Sequence, residues 1–325
     1  MSTNIKTIGV LTSGGDAPGM NAAVRAVVRT ALNKNMRVFG IRQGYNGLIN
    51  CDMIEMNMNS VSDILQHGGT FLRTARCLEF KEEAGLQKAI EVCKKVGIDG
   101  LVVVGGDGSF RGARDLSIRG IPCVGVPGTI DNDISSSHYT VGFDTALNTV
   151  SDMVDKLRDT SQSHNRCSVV EVMGRKAGDI ALHAGIACGA TVILVPEKPF
   201  DIDKDVVAKI NLALKTGKKH FIVMVAEGIN YDSVQLAEDI EAKTGVESRT
   251  TILGHVQRGG SPTVRDRVNA SRMGYRAVEL LDKGIGNRVV VMRDDKVVDF
   301  DILEALNMKK EFDDELLAIA NTISL

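Results

Sequence analysis

The chain has 325 residues, of which 43% are hydrophobic and 25% charged, with a net charge of −2. That balance suits a globular protein long enough for two domains, and it supplies no global basic field for nucleic acid or a membrane surface. Cys51, Cys77, Cys93, Cys123, Cys167 and Cys188 include no C-x-x-C pair, which disfavours zinc or disulfide frameworks and predicts reduced thiols.

The first predicted element is a buried strand from Thr7 to Leu11, then a Gly-rich turn and a helix from Gly19 to Asn33. Further strands are expected at Arg37 to Ile41, Gly100 to Val104, Cys123 to Val126, Ser168 to Val172 and Thr191 to Val195. Others follow at Phe221 to Ala226, Thr251 to Leu253 and Val289 to Met292. Their apolar runs are continuous rather than alternating, the pattern of parallel strands covered on both faces. Helical spacing fits 84–95, 143–160, 178–187, 203–215, 234–243, 263–281 and 313–323. Sustained βα alternation predicts an α/β protein of doubly wound layers, with a domain boundary near Tyr139 to Gly142. No apolar run approaches the ~20 residues that span a bilayer. The opening Met1-Ser2-Thr3-Asn4-Ile5-Lys6 lacks a signal-peptide apolar core, so a cytoplasmic location is expected.

Two phrases resemble each other: Leu11-Thr12-Ser13-Gly14-Gly15-Asp16 and Val104-Gly105-Gly106-Asp107-Gly108-Ser109. Each follows a strand and precedes a helix, where glycines admit phosphate oxygens and a helix N-terminus favours them. The first is neither a Walker nor a dinucleotide fingerprint, and alone it reads equally well as a tight βα turn. The second adds Asp107, an oxygen donor for a hard cation such as Mg²⁺.

A third loop, Pro127-Gly128-Thr129-Ile130-Asp131-Asn132-Asp133, follows another apolar strand. In an extended segment Asp131 and Asp133 point to similar sides. Close carboxylates need a cation or distinct roles, which suggests Asp131 as base toward an acceptor hydroxyl and Asp133 with Asp107 at magnesium. An Asp near its reference pKa of ~3.9 orients an alcohol and takes its proton late in a loose phosphoryl-transfer transition state. An Asx-turn is the plainer reading of the same residues; Asp107 tips the balance to chemistry.

The chain resembles the bacterial ATP-dependent 6-phosphofructokinases over essentially its full length. The matching phrases are GVLTSGGDAPGMNA, GGTFL-x-x-AR, GGDGS, PGTIDND, SVVEVMGR and LGHVQRGGSP. The resemblance implies two doubly wound, mostly parallel three-layer domains. A larger ATP- and Mg-binding domain would span 1–140 plus 257–306, and a smaller sugar-phosphate domain 141–256 plus 307–325. It implies ATP contacts at Gly15, Arg76, Cys77, Gly106, Asp107, Gly108 and Ser109. Thr129, Ile130 and Asp131 would meet the acceptor end of fructose 6-phosphate. Met173, Gly174, Arg175, Glu227, His255 and Arg258 would line its pocket, with Arg166 and Arg249 reaching across a subunit interface of a homotetramer. Thr129, Asp131 and Arg175 would carry catalysis, the arginine stabilising the moving phosphoryl charge.

Pyrophosphate-using relatives carry an acidic residue at the place of Gly108 and a lysine at that of Gly128. Two glycines would leave room for an α-phosphate, which favours ATP. The family's effector site corresponds to Arg25, Arg29, Asp63, Arg158, Lys218, Lys219 and His220. Met58 replaces an effector-phosphate arginine and Thr191 a magnesium-binding glutamate, so control by ADP or phosphoenolpyruvate is expected to be weak. One extra residue falls near Asp201–Asp205 and another near Ile229–Val234. The alternatives are a pyrophosphate-dependent enzyme and a non-catalytic sensing subunit that keeps the fold.

Overall fold

The computed structural model describes residues 5–324; Met1-Ser2-Thr3-Asn4, part of the N-terminal reading above, lies outside them. The strands are β1 (Thr7–Thr12), β2 (Arg37–Ile41), β3 (Met53–Met56), β4 (Gly100–Gly105), β5 (Cys123–Pro127), β6 (Cys167–Val172), β7 (Val192–Leu194), β8 (Phe221–Ala226), β9 (Ser248–Ile252), β10 (Arg288–Arg293) and β11 (Lys296–Asp301). They form an α/β fold with two sheets, ordered β11-β10-β5-β4-β1-β2-β3 and β7-β8-β6-β9. The second is wholly parallel. The first is parallel except at its two ends, where β3 and β11 run antiparallel to their neighbours.

Those two end strands escape the sequence patterns for one reason. They are edge strands, half-buried or exposed at most positions, so they lack the continuous apolar run that marks β1, β4 or β8. The edge strand β9 likewise begins three residues before the apolar stretch, at Ser248-Arg249-Thr250.

The chain divides into two compact units. One holds the described residues up to Ile130 with Ile134–Thr145 and Arg258–Lys310; the other holds Asp131–Asp133, Ala146–Gln257 and the described residues from Glu311 onward. In the first, the helices Glu83–Val96 and Asp107–Ile118 pack on the sheet through a core that includes Leu101, Val103, Phe110, Leu116 and Ile134. In the second, Val169, Val223, Val225, Ile210, Leu236 and Ile240 form the corresponding core. Full burial of each such side chain contributes ~1.5–3 kcal/mol.

Strand order decides where ligands can enter. In the first sheet β1 leads out toward β2 and its neighbour β4 leads the other way, toward β5. In the second, β6 leads toward β7 and its neighbour β8 leads oppositely, toward β9. At each divergence the chains part and leave a crevice beyond the carboxyl ends of the strands. The Gly-rich phrases follow β1 and β4; the segments beginning at Met173 and Glu227 follow β6 and β8.

The helix expected over 203–215 instead opens as a π turn, Ile202–Val207, before continuing as Ala208–Lys215. A π turn takes up one additional residue, and the extra residue noted near Asp201–Asp205 falls there. Asp201 caps the turn through Asp203 N at 2.9 Å and Lys204 N at 3.0 Å.

Candidate functional site

In the first unit the two Gly-rich loops lie side by side. Ser13 N donates to Val104 O at 2.9 Å, and a Cβ built on Gly14 would come within 3.6 Å of Ser109 Oγ. The second loop is shorter than GGDGS suggests, because the helix Asp107–Ile118 starts at Asp107 with Gly106 as its N-cap. Asp107, Gly108 and Ser109 therefore form a helical first turn; Ser109 N donates to Gly106 O at 2.9 Å, which leaves the Asp107 and Gly108 N–H groups for an anion. Burial pushes the Asp107 carboxyl pKa up, with Arg111 acting the other way. A carboxylate whose charged form is disfavoured by burial gains from a nearby cation, so Asp107 fits a magnesium ligand. Among the described residues no three His, Cys, Asp or Glu side chains form a ready metal cage.

Gly108 has nothing within 4 Å of an added Cβ. Gly128 differs. Its Cβ would meet Met20 Cε at 3.0 Å and Val104 Cγ1 at 3.1 Å. The expectation that both glycines leave room for phosphate therefore holds for Gly108 only; at Gly128 apolar packing fills the space.

Hydrogen bonds strap the segment bearing Arg76 and Cys77 to the first loop. Thr12 Oγ1 pairs with Thr70 Oγ1 at 2.7 Å and donates to Arg73 O at 2.9 Å. Thr74 Oγ1 donates to Gly14 O at 2.8 Å. The buried Asn21 amide donates to His67 O at 3.0 Å and accepts from Phe71 N at 2.9 Å. Arg76 is exposed, while Cys77 packs against the core. Arg258 belongs to this unit; its Nη1 donates to Asp16 O at 3.2 Å and lies 2.7 Å from the Cβ position of Gly15. Sequence reading missed Tyr45. Its hydroxyl donates to Ser109 O at 2.6 Å and its ring stacks on Phe80 at 4.0 Å.

The Pro127–Asp133 loop is not extended as supposed, since Asn132 adopts φ of 51°; strand alternation therefore does not orient Asp131 and Asp133. Thr129 and Ile130 are buried, Ile130 completely, so only the Ile130 backbone could meet a substrate. Asp131 is also fully buried, with Oδ2 3.2 Å from Nε of Arg175, whose side chain is 60% exposed. Asp133 is half-buried. Asn132 Nδ2 donates to Asp179 Oδ1 at 3.1 Å.

Around Arg175, Glu227 Oε1 accepts from Gly174 N at 3.2 Å and Arg175 N at 2.7 Å. Gln257, which sequence reading did not single out, is wholly buried and accepts from Met173 N at 3.1 Å. His255 is exposed on the adjoining turn. Arg166 and Arg249 converge on Glu247, at 2.8 and 2.6 Å; chiefly through Arg166, they hold its carboxyl pKa low.

The expected effector residues fall in two sets. Arg25 and Arg29 stand one turn apart on the helix Met20–Asn33, and Asp63 is exposed. In the other unit, Lys218 Nζ donates to Thr191 Oγ1 at 3.1 Å and Ser324 O at 3.3 Å, and Arg158 donates to Cys188 O. Burial lowers the pKa of Lys218 and of His220, with Arg158 adding to both effects. Lys219 is exposed, as is Met58. All six cysteines are unpaired. Among the described residues no helix is long and apolar enough to cross a membrane.

Comparison with known proteins gives a consistent result. The phosphofructokinase family model matches residues 7–281. The ATP-dependent 6-phosphofructokinase of Clostridium botulinum strain Hall is 58% identical over 320 residues, 98% of this chain and 100% of that protein. Its counterpart from Alkaliphilus metalliredigens is 54% identical over 321 residues, 99% of this chain and 100% of that protein. The phosphofructokinase structure from Saccharomyces cerevisiae superimposes with a TM-score of 0.88 at 34% identity, over 98% of this chain and 46% of that one. A pyrophosphate-dependent phosphofructokinase from Marinobacter aquaeolei shares the fold, with a TM-score of 0.85 at 23% identity over 95% of this chain and 86% of that one.

Proposed function

The chain belongs to the phosphofructokinase family, and from that premise we propose that it is an enzyme moving the γ-phosphoryl group of ATP to the 1-hydroxyl of fructose 6-phosphate. The bond from the γ-phosphorus to the β–γ bridging oxygen breaks, the sugar O1–phosphorus bond forms, and ADP and fructose 1,6-bisphosphate leave. The hydroxyl proton goes to Asp131. The observation that carries this reading is the fully buried Asp131 carboxylate against the largely exposed Arg175 guanidinium at 3.2 Å. A base must be shielded enough to hold one orientation, and its cationic neighbour must stay open to the transferred group.

The remaining roles follow the same chemistry. Thr129 and the Ile130 backbone orient the acceptor end. Gly15, Arg76, Cys77 and the turn Gly106–Ser109 take the nucleotide, supported by the Asp107 and Gly108 N–H groups at the helix start and the open face of Gly108. Asp107 and Asp133 would hold Mg²⁺, which neutralises charge on the β- and γ-phosphates when bound. Met173, Gly174, Glu227, His255 and Arg258 would serve the sugar phosphate. Arg166 and Arg249 would reach a neighbouring subunit's substrate in a cytoplasmic homotetramer; the exposure of the Arg249 side chain supports that reading. Effector control is proposed to be weak, since Met58 offers no charge and Thr191 already accepts from Lys218.

The test is a coupled assay for fructose 1,6-bisphosphate, run in parallel with MgATP and with pyrophosphate. Turnover with MgATP alone is expected. Turnover with pyrophosphate would overturn the donor, and silence with both would leave a sensing subunit.

A further inference from the structure

The loop carrying Arg175 is held in a conformation that Arg175 itself disfavours and that Gly174 before it permits. Arg175 has φ of 55° and Gly174 has φ of 139°. A non-glycine residue in the left-handed region persists only where its surroundings over-determine it, and such residues cluster at functional sites.

Here the surroundings do so at three points. Glu227 Oε1 accepts from the consecutive N–H groups of Gly174 and Arg175, at 3.2 and 2.7 Å. Gln257 accepts from Met173 N at 3.1 Å and donates to Gly254 O at 2.9 Å. A Cβ on Gly228 would stand 2.0 Å from Arg175 O, so only glycine lets the end of β8 approach this closely. Beyond the loop, Arg175 Nε reaches Asp131 Oδ2 at 3.2 Å.

We propose that Glu227 is a positioning residue for Arg175. By accepting two successive backbone N–H groups it fixes the strained loop so that the guanidinium meets Asp131 where phosphoryl charge develops. This goes beyond the sugar contact assigned to Glu227 above, because one carboxylate oxygen is already committed to the backbone. It rests on the roles proposed for Asp131 and Arg175. Small displacements of a catalytic group cost rate rather than substrate affinity; a misplacement near 1 Å can cost about a hundredfold.

The test is steady-state kinetics on wild type, Glu227→Gln, Glu227→Ala, Arg175→Ala and the double variant Glu227→Ala with Arg175→Ala. Glu227→Ala is expected to lower kcat by roughly 10- to 100-fold, with a much smaller change in KM for fructose 6-phosphate. The amide oxygen of Glu227→Gln can accept the same two N–H groups, so this near-isosteric variant should recover most of the kcat that Glu227→Ala loses, whatever its KM for fructose 6-phosphate. The double variant should be no slower than Arg175→Ala, because the two residues act as one unit. Equal losses in Glu227→Gln and Glu227→Ala, with a raised KM, would overturn the proposal in favour of a sugar contact. Losses that multiply in the double variant would overturn it too while leaving the reaction assignment intact. A silent wild type would overturn both.

Discussion

Replacing Gly108 by aspartate separates two uses of one position. A Cβ there meets nothing within 4 Å, so the first atom of the new side chain enters open space. Gly108 is the second residue of the helix Asp107–Ile118, where an acidic side chain interacts with the helix dipole by ~0.3–1 kcal/mol and glycine is the weaker helix former. Repulsion from the neighbouring Asp107 offsets part of that gain, so heat stability should barely move. Nucleotide binding should not survive as well. A carboxylate about 4 Å from a phosphate oxygen, at an effective dielectric constant near 20, is repelled by about 4 kcal/mol. That corresponds to roughly a thousandfold in kcat/KM for MgATP. The assay pairs a thermal melt with MgATP kinetics, using Gly128→Ala as the contrast. There Met20 and Val104 lie 3.0 and 3.1 Å from the new Cβ, and overpacking of ~1–3 kcal/mol should lower the melting point. A Gly108→Asp enzyme with MgATP kcat/KM within about threefold of wild type would refute the placement of the nucleotide phosphates on this turn.

Three further outcomes are expected. Asp131→Asn, nearly isosteric in a fully buried position, should cut kcat by ~10²–10⁴ while calorimetry shows fructose 6-phosphate affinity little changed; undiminished turnover would remove Asp131 as the base. His220 has its pKa lowered in the folded state, first by burial and then by Arg158 and Lys218. The unfolded chain therefore binds its proton more readily, and stability should be full above pH ~6.5 and fall as pH drops through and below that value. Melts between pH 7.5 and 5.5 should show a shallower decline in His220→Gln, whereas identical slopes would contradict the shift. Titration with ADP and with phosphoenolpyruvate should show weak control, because one missing arginine contact of ~1.5–3 kcal/mol weakens an effector roughly 10- to 100-fold. Strong sigmoidal control by either ligand would sink that expectation.

The sequence by itself determined the α/β class and the family, because both rest on local signals. Short, valine-rich apolar runs bounded by glycine, such as Leu101 to Val104, read as strands covered on both faces, and loops such as GGDGS and PGTIDND carry their chemistry in consecutive residues. It could not mark β3 and β11, whose exposed edges blur the apolar pattern. Nor could it show that Asn132 turns left-handed and so voids an argument from strand alternation. Long-range contacts were decided by tertiary structure alone. Tyr45 reaches the carbonyl of Ser109 across 64 positions, and Gln257 reaches Met173 across 84. Gly128 and Gly108 read as equivalent spaces in the sequence, yet one faces Met20 and the other lies open. A residue's type records what it can bond to; only the packing of distant strands fixes which partner it meets and which face stays free for a ligand.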